Sequence, residues 1–323
     1  MQMIDNFHFS LFTSFCTFAR TKMQNSKVFY HFVAFIVVAI WGSTFVFTKL
    51  LLLGGLTAAQ IFTLRFIIAY ILMLGFCLYK GIRWVAKCWQ DEVLLAILGI
   101  AGGSLYFLAE NNAMNYTTTT NTSLIVSLSP LFASALISLF YKSQRLNRIQ
   151  VIGSLMAAVG VVMVVMNGHF VLHLSPKGDV LAFSAALCWA VYSLLMIYAN
   201  AKYDTLFITR KVFFYGLLAM IPYFILYPGL GIQQLIDHKD LIWNLLFLGC
   251  VASMLCFLAW NWVLKKLGAV VATNYVYFNP VTTIIFAWLI LSEQITIYFL
   301  IGTLLILVGM VMVDKFNRVE QSR

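Results

Sequence analysis

The sequence predicts an all-α integral membrane protein whose ten transmembrane helices fall into two inverted five-helix repeats. Three observations predict it. Apolar residues fill 62% of the 323 positions and charged residues only 10%. Soluble proteins average about 45–50% and about 25%, so the charges here are too few to cover a soluble surface of this size. The apolar residues gather into ten runs of about 20, the length that crosses a hydrocarbon core of about 30 Å. The second half of the chain repeats the first at an offset of 148 to 150 residues,. The same composition excludes an ordinary soluble enzyme, a disordered protein and a fibrous repeat. The net charge of +10 is scattered between apolar runs, which argues against a nucleic-acid partner and for the cytoplasmic face of a membrane.

Taken in order, residues 1–28 read as an N-terminal cytoplasmic tail. Its apolar patch at 7–19 is too short to span, and residues 1–6 carry only Asp5 where a signal peptide has positive charge,. It reads as a disordered or interfacial tail, or as an upstream extension of a chain that starts at Met23 and not at Met1. The first repeat, 29–168, holds runs at 30–52, 58–79, 92–113, 119–141 and 148–167. The second, 178–314, holds 179–200, 206–227, 241–264, 269–291 and 296–314, before a C-terminal cytoplasmic tail at 315–323. The longest link is the polar stretch 226–240, so no soluble catalytic domain sits between spans. Fifteen basic residues outside the spans fall on the side of the N-terminus and two, Lys177 and Lys239, on the other. The positive-inside rule then places both termini in the cytoplasm. Of the six cysteines, Cys77, Cys188, Cys250 and Cys256 lie in spans and no Cys-x-x-Cys occurs. They read as packing residues, and no metal or cofactor is expected.

The repeat is read residue by residue. An offset of 150 sets Glu110-Asn111-Asn112 on Trp260-Asn261-Trp262, Ser123 on Thr273 and Pro130 on Pro280; an offset of 149 sets Gly153 and Gly160 on Gly302 and Gly309; 148 sets Trp41 on Trp189. Five spans per half is an odd number, so the halves enter the membrane in opposite senses. Inverted repeats of this kind underlie alternating access around a site near the midplane.

Trp41-Gly42-Ser43-Thr44-Phe45 in span 1, Arg65 in span 2, Asn112-Ala113-Met114, the prolines 130 and 280, and Leu291-Ser292-Glu293 followed by Gly302 together resemble the EamA-type family of the drug/metabolite transporter superfamily. The resemblance covers about residues 30–314. It implies a ten-helix transporter of small metabolites, often amino acids or their relatives, commonly working as an exporter. One departure is that Glu293 after span 9 has no acidic counterpart after span 4, where Ser143 and Gln144 stand.

The residues also carry a reading of their own. In span 4, Thr119, Ser123, Ser127, Pro130, Ser134 and Ser138 share a helical face,. The matching face of span 9 carries Ala269, Thr273, Tyr277, Pro280, Ile284 and Trp288, with Asn274 and Asn279 beside it. Each proline removes an internal hydrogen bond, leaving carbonyls that need water, a side chain or substrate. These stripes read as cavity lining, against close helix packing as the competing reading. Trp41, Thr44 and Thr48 in span 1, with Trp189, Tyr192 and Met196 in span 6, supply an aromatic wall suited to a small amphipathic solute.

Charged groups within spans are costly and usually pair or line water. Glu110 and Arg65 read either as a structural ion pair or as working groups: Arg65 or Lys49 clamping a solute carboxylate, Glu110 coupling transport to protons. Arg210 and Lys211 read as snorkelling anchors. The glycines of spans 5 and 10 permit close contact, within one chain or across a homodimer.

The function expected is secondary active transport of a small amino-acid-like or drug-like solute across the inner or plasma membrane, in the outward direction. No Gly-x-x-x-x-Gly-Lys loop is present,. A lipid or lipid-linked sugar translocase is the alternative. An intramembrane enzyme is the weaker one, since the histidines at 8, 31, 169, 173 and 238 make no cluster of catalytic spacing,.

Overall fold

The computed structural model describes residues 27–141, 146–166, 175–291 and 296–321. The N-terminal patch, Met23, Ser143 and Gln144, Lys142, Arg145, His169, His173, Ser292 and Glu293 lie outside the described residues. Ten helical segments follow one another: α1 (Lys27–Leu53), α2 (Ala58–Tyr79), α3 (Trp89–Tyr116), α4 (Thr119–Phe140), α5 (Arg148–Met166), α6 (Pro176–Lys202), α7 (Thr205–Leu226), α8 (Asp240–Leu267), α9 (269–291) and α10 (Ile297–Gln321). Eight are long and apolar enough to cross a membrane. Two shorter apolar stretches, Arg148–Val164 and Ile297–Val313, complete the ten. Exposed Ile71, Leu78, Leu139, Val180, Ile225, Leu289 and Leu304 spread over the outside of the bundle, as a surface facing lipid requires.

Several helix starts are written in the sequence as caps. Thr57 and Gln60 form a reciprocal capping box at α2, with Thr57 Oγ1 accepting from Gln60 N and Gln60 Oε1 from Thr57 N. Asn147 and Gln150 do the same at α5, and Ser175 and Asp204 cap α6 and α7. Each satisfies amide donors that a helix end leaves open. The polar link before α8 is not wholly irregular: it contains a short helix, Ile232–Asp237, that buries Leu235.

Five spans are interrupted, four of them in repeat-matched pairs; the fifth, α7, stops at Leu218 and restarts at Ile221 before Pro222. α4 stops at Val126 and restarts at Ser129 with Pro130 in its first turn. α9 stops at Asn274, passes through a 3₁₀ turn at Tyr275–Phe278, and restarts at Asn279 before Pro280. α3 and α8 instead widen into π-helical turns at Ile100–Leu105 and Phe247–Leu255. Such turns concentrate at functional sites. Proline announces the first pair; no residue type announces the second.

Residues 153, 160, 302 and 309 bring α5 and α10 together within the chain. A Cβ on Gly160 would stand 2.6 Å from the Gly302 carbonyl oxygen, and one on Gly153 would stand 2.8 Å from that of Gly309. The pairing runs antiparallel and places these glycines in an intramolecular contact. Gly42 makes a second close approach, where a Cβ would lie 2.7 Å from the Asn279 carbonyl oxygen and Thr283 Oγ1 donates to the Gly42 carbonyl at 2.9 Å. The glycine after Trp41 therefore lets α1 lie against the break in α9.

Candidate functional site

The interrupted spans converge on a cavity lined by Trp41, Thr44, Phe45, Arg65, Tyr106, Phe107, Glu110, Val126, Ser129, Trp189, Phe257, Val276 and Asn279. Four repeat-matched pairs supply most of this wall: Trp41 with Trp189, Phe107 with Phe257, Val126 with Val276, and Ser129 with Asn279. The cavity thus sits where the two repeats meet. Trp41 and Trp189 touch edge to face, ring centroids 5.3 Å apart at 90°, the geometry favoured by aromatic quadrupoles. Trp41 Nε1 is fixed by donating to the Ala252 carbonyl at 3.0 Å, in the π-helical part of α8. The cavity volume is about 20 Å³, room for about one water by that measure, so the site is contracted in this conformation.

The two charged groups both come from the first repeat. Arg65, 1% exposed, donates from Nε to Ser253 Oγ at 2.9 Å and lays its guanidinium 4.4 Å from the Phe107 ring centroid. Its Nη1 has no hydrogen-bond partner among the described residues. Glu110 accepts from the Tyr106 hydroxyl at 2.8 Å. Among the described residues the ion pairs are Lys202–Asp91 and Lys211–Glu92, so Arg65 and Glu110 share the cavity without closing on each other. The repeat offsets set Phe213 against Arg65 and Trp260 against Glu110. The wall is therefore pseudo-symmetric in shape and one-sided in charge.

Of the residues singled out in the sequence, Trp41, Thr44, Trp189, Arg65 and Glu110 line the cavity. Thr48 is buried one turn further along α1, and Lys49 donates to the Met114 carbonyl at 2.7 Å, tying α1 to the end of α3. Ser123 bonds back to the Thr120 carbonyl at 3.0 Å. Ser127 and Pro130 are buried at the break in α4. Tyr192 is turned into a polar chain outside the cavity wall: its hydroxyl donates to Asn261 Oδ1 at 2.5 Å, and Asn261 Nδ2 donates to Thr209 Oγ1 at 2.9 Å. Thr273 bonds back to the Ala269 carbonyl at 2.7 Å. Asn274 Nδ2 donates to the Val270 carbonyl at 2.6 Å, while its Oδ1 accepts from Ser154 at 3.4 Å. Tyr277 and Pro280 are buried in and beside the 3₁₀ turn. Sequence reasoning passed over Tyr106, Phe107, Phe257 and Ser129, and noted Asn279 only as a neighbour of the stripe. The available signal was position: Ser129 and Asn279 each stand immediately before a repeat-matched proline.

Arg210 and Lys211 are not snorkelling anchors. Arg210, 3% exposed, points inward and donates to the carbonyls of Ile82, Arg83 and Trp84. Lys211 pairs with Glu92 at 2.9 Å. Inward partners were available because the start of α3 brings Asp91 and Glu92 beside α6 and α7. Asp91 takes Lys202 at 3.0 Å and the Tyr203 hydroxyl at 2.6 Å. Burial, and secondarily this bond to Asp91, hold the Tyr203 phenol above its ordinary range,. This network lies at the end of the bundle that carries the 80–88 link.

Residues 28–166 and 176–313 each match the EamA-like transporter family. A protein of Archaeoglobus fulgidus named an uncharacterized transporter is 30% identical over 292 residues, covering 88% of this chain and 96% of its own. A protein of Streptantibioticus cattleyicolor named a probable terminal-alkyne amino-acid exporter is 22% identical over 226 residues, 70% of this chain and 74% of that one. A solved crystal structure superposes with a TM-score of 0.70 over 90% of this chain and 99% of its own, at 19% identity. It shows a shared fold.

Proposed function

The chain belongs to the EamA-like transporter family, and we propose that it is a secondary active transporter that exports a small amino-acid-like or drug-like solute across the inner or plasma membrane. It is a multi-pass membrane protein of ten helices in two inverted repeats, and the lopsided distribution of Lys and Arg supports cytoplasmic termini,. The observation that carries the reading is the cavity at the repeat interface. Aromatic rings enclose a guanidinium with an unused donor, a carboxylate stands in the same wall, and the surrounding spans are broken at matched places. A solute with an apolar body and charged ends fits such a wall. The contracted cavity suits one step of a cycle in which the repeats exchange roles and open the site to each side in turn. Glu110 is the residue we assign to proton coupling. The relative named an amino-acid exporter supports the outward direction and the solute class.

The test is flux from proteoliposomes loaded with a mixture of labelled amino acids. Thr44→Trp fills the cavity wall from α1 and should reduce efflux to that of protein-free vesicles while insertion stays normal. Wild-type efflux indistinguishable from protein-free vesicles would overturn the solute class, and undiminished efflux in Thr44→Trp would overturn the site.

A further inference from the structure

Prolines 130 and 280 have no N–H to give to the carbonyls four residues earlier. Those residues are Val126 and Val276, and both line the cavity. The residues immediately before the prolines, Ser129 and Asn279, line it too. Ser129 is 0% and Asn279 4% exposed, yet Ser129 Oγ and Asn279 Oδ1 have no hydrogen-bond partner among the described residues. Leaving a buried polar atom unmatched is costly, and here the same cost recurs at repeat-equivalent residues that line one space. Two further groups of the wall are unmatched in the same way, Arg65 Nη1 and Trp189 Nε1. The chemistry divides cleanly. Arg65 and Trp189 are donors only; Asn279 Oδ1 is an acceptor only, Ser129 Oγ can accept beside it, and the Val276 carbonyl, which takes the Asn279 N–H in place of the missing proline donor, keeps a second lone pair.

Resting on the reading of this cavity as the solute site, we propose that the paired proline breaks form a cation-binding pole, set against an anion-binding pole at Arg65 and Trp189. The cation is a small monovalent one, either the ammonium group of a zwitterionic solute or a sodium ion bound beside an anionic solute. The acceptors are neutral oxygens on broken helices, a donor set that takes either. Glu110 in the same wall adds carboxylate acceptors where it is ionised,. The rings of Trp41, Phe107 and Phe257 enclose the apolar part.

The test uses the full chain in lipid nanodiscs, with the change in fluorescence of its eight tryptophans, Trp41 and Trp189 of the cavity among them, as the readout and three probes: phenylalanine, 2-phenylethylamine and 3-phenylpropanoate. Each is titrated in sodium and in N-methyl-glucamine buffer. We expect phenylalanine to bind about tenfold tighter or more than either singly charged analogue. Ser129→Ala and Asn279→Leu should weaken phenylalanine and phenylethylamine by about tenfold while leaving phenylpropanoate within about twofold. The unchanged anion probe then shows that both variants are folded. Phenylpropanoate binding as tightly as phenylalanine in sodium only, and losing that gain in both variants, would assign the pole to the metal ion. The proposal fails if all three probes bind alike to the wild type, if none binds, or if the two variants weaken phenylpropanoate as much as the amines. Continued efflux of other amino acids from vesicles in those cases leaves the transport reading standing without this pole.

Discussion

Arg65 Nε donates to Ser253 Oγ at 2.9 Å, so the guanidinium of the first repeat is held by the π-helical turn of the second. A π turn adds a residue to the helical circuit and reorients the side chains that follow it. In α8 that turn presents Ser253 to Arg65 and the Ala252 carbonyl to Trp41. Two cavity residues of the first repeat, Arg65 and Trp41, are thereby positioned by one distortion in the other. Ser253→Ala should leave the Arg65 guanidinium with one bond fewer and reduce solute affinity about tenfold or more, the scale of one hydrogen bond to a charged group, about 1.5–3 kcal/mol. Isothermal titration of the variant against wild type measures it.

Gly160→Ala places a methyl against the Gly302 carbonyl, and overpacking of this kind costs about 1–3 kcal/mol. Gly75, by contrast, has nothing within 4 Å of its would-be Cβ. Thermal unfolding in detergent should therefore show Gly160→Ala melting several degrees below wild type and Gly75→Ala at or above it.

Arg210→Ala removes the donor shared by the carbonyls of Ile82, Arg83 and Trp84. The link that follows α2 should loosen, and trypsin should cut at Lys80, Arg83 or Lys87 several times faster than in wild type. Lys202→Ala, whose side chain is 38% exposed, should change the cutting rate little, because partly exposed pairs contribute about 0–1 kcal/mol.

Much of the architecture was legible in the sequence because lipid imposes simple rules. Apolar runs gave the spans, and the prolines at 130 and 280 gave the breaks in α4 and α9. The site was legible where it coincided with the repeat, as at Trp41 and Trp189, and where a charge stood in an apolar run, as at Arg65 and Glu110. The polar stripes are mixed. Ser123 and Thr273 satisfy their hydroxyls on their own helix, so period alone does not separate a wetted face from a self-satisfied one. The π turns were invisible because they follow from packing between spans, and Arg210 was misread because its carbonyl partners lie 126 to 128 residues away.

Orientation is checked with single cysteines. Those replacing Lys177 and Lys239 should react with an impermeant thiol reagent added to intact cells, and one replacing Lys265 should not. Labelling at Lys265 from outside would reverse the topology.

Glu110→Gln keeps the shape of the side chain but cannot ionise. If Glu110 carries the coupling proton, the variant should still exchange solute across vesicles and lose accumulation driven by a pH gradient. Unchanged pH-driven accumulation would make Glu110 a structural partner of Tyr106.

Alternating access requires the cavity at the repeat interface to open to each side in turn. Thr44 lies in its wall at 7% exposure, so Thr44→Cys in a chain whose six native cysteines are replaced places a single reporter there. The measurement is its reaction with an impermeant maleimide in right-side-out and in inside-out vesicles, with efflux recorded after modification. Labelling from both sides, with efflux lost in proportion, is the predicted result. Labelling from neither side, or full efflux after complete modification, would contradict it.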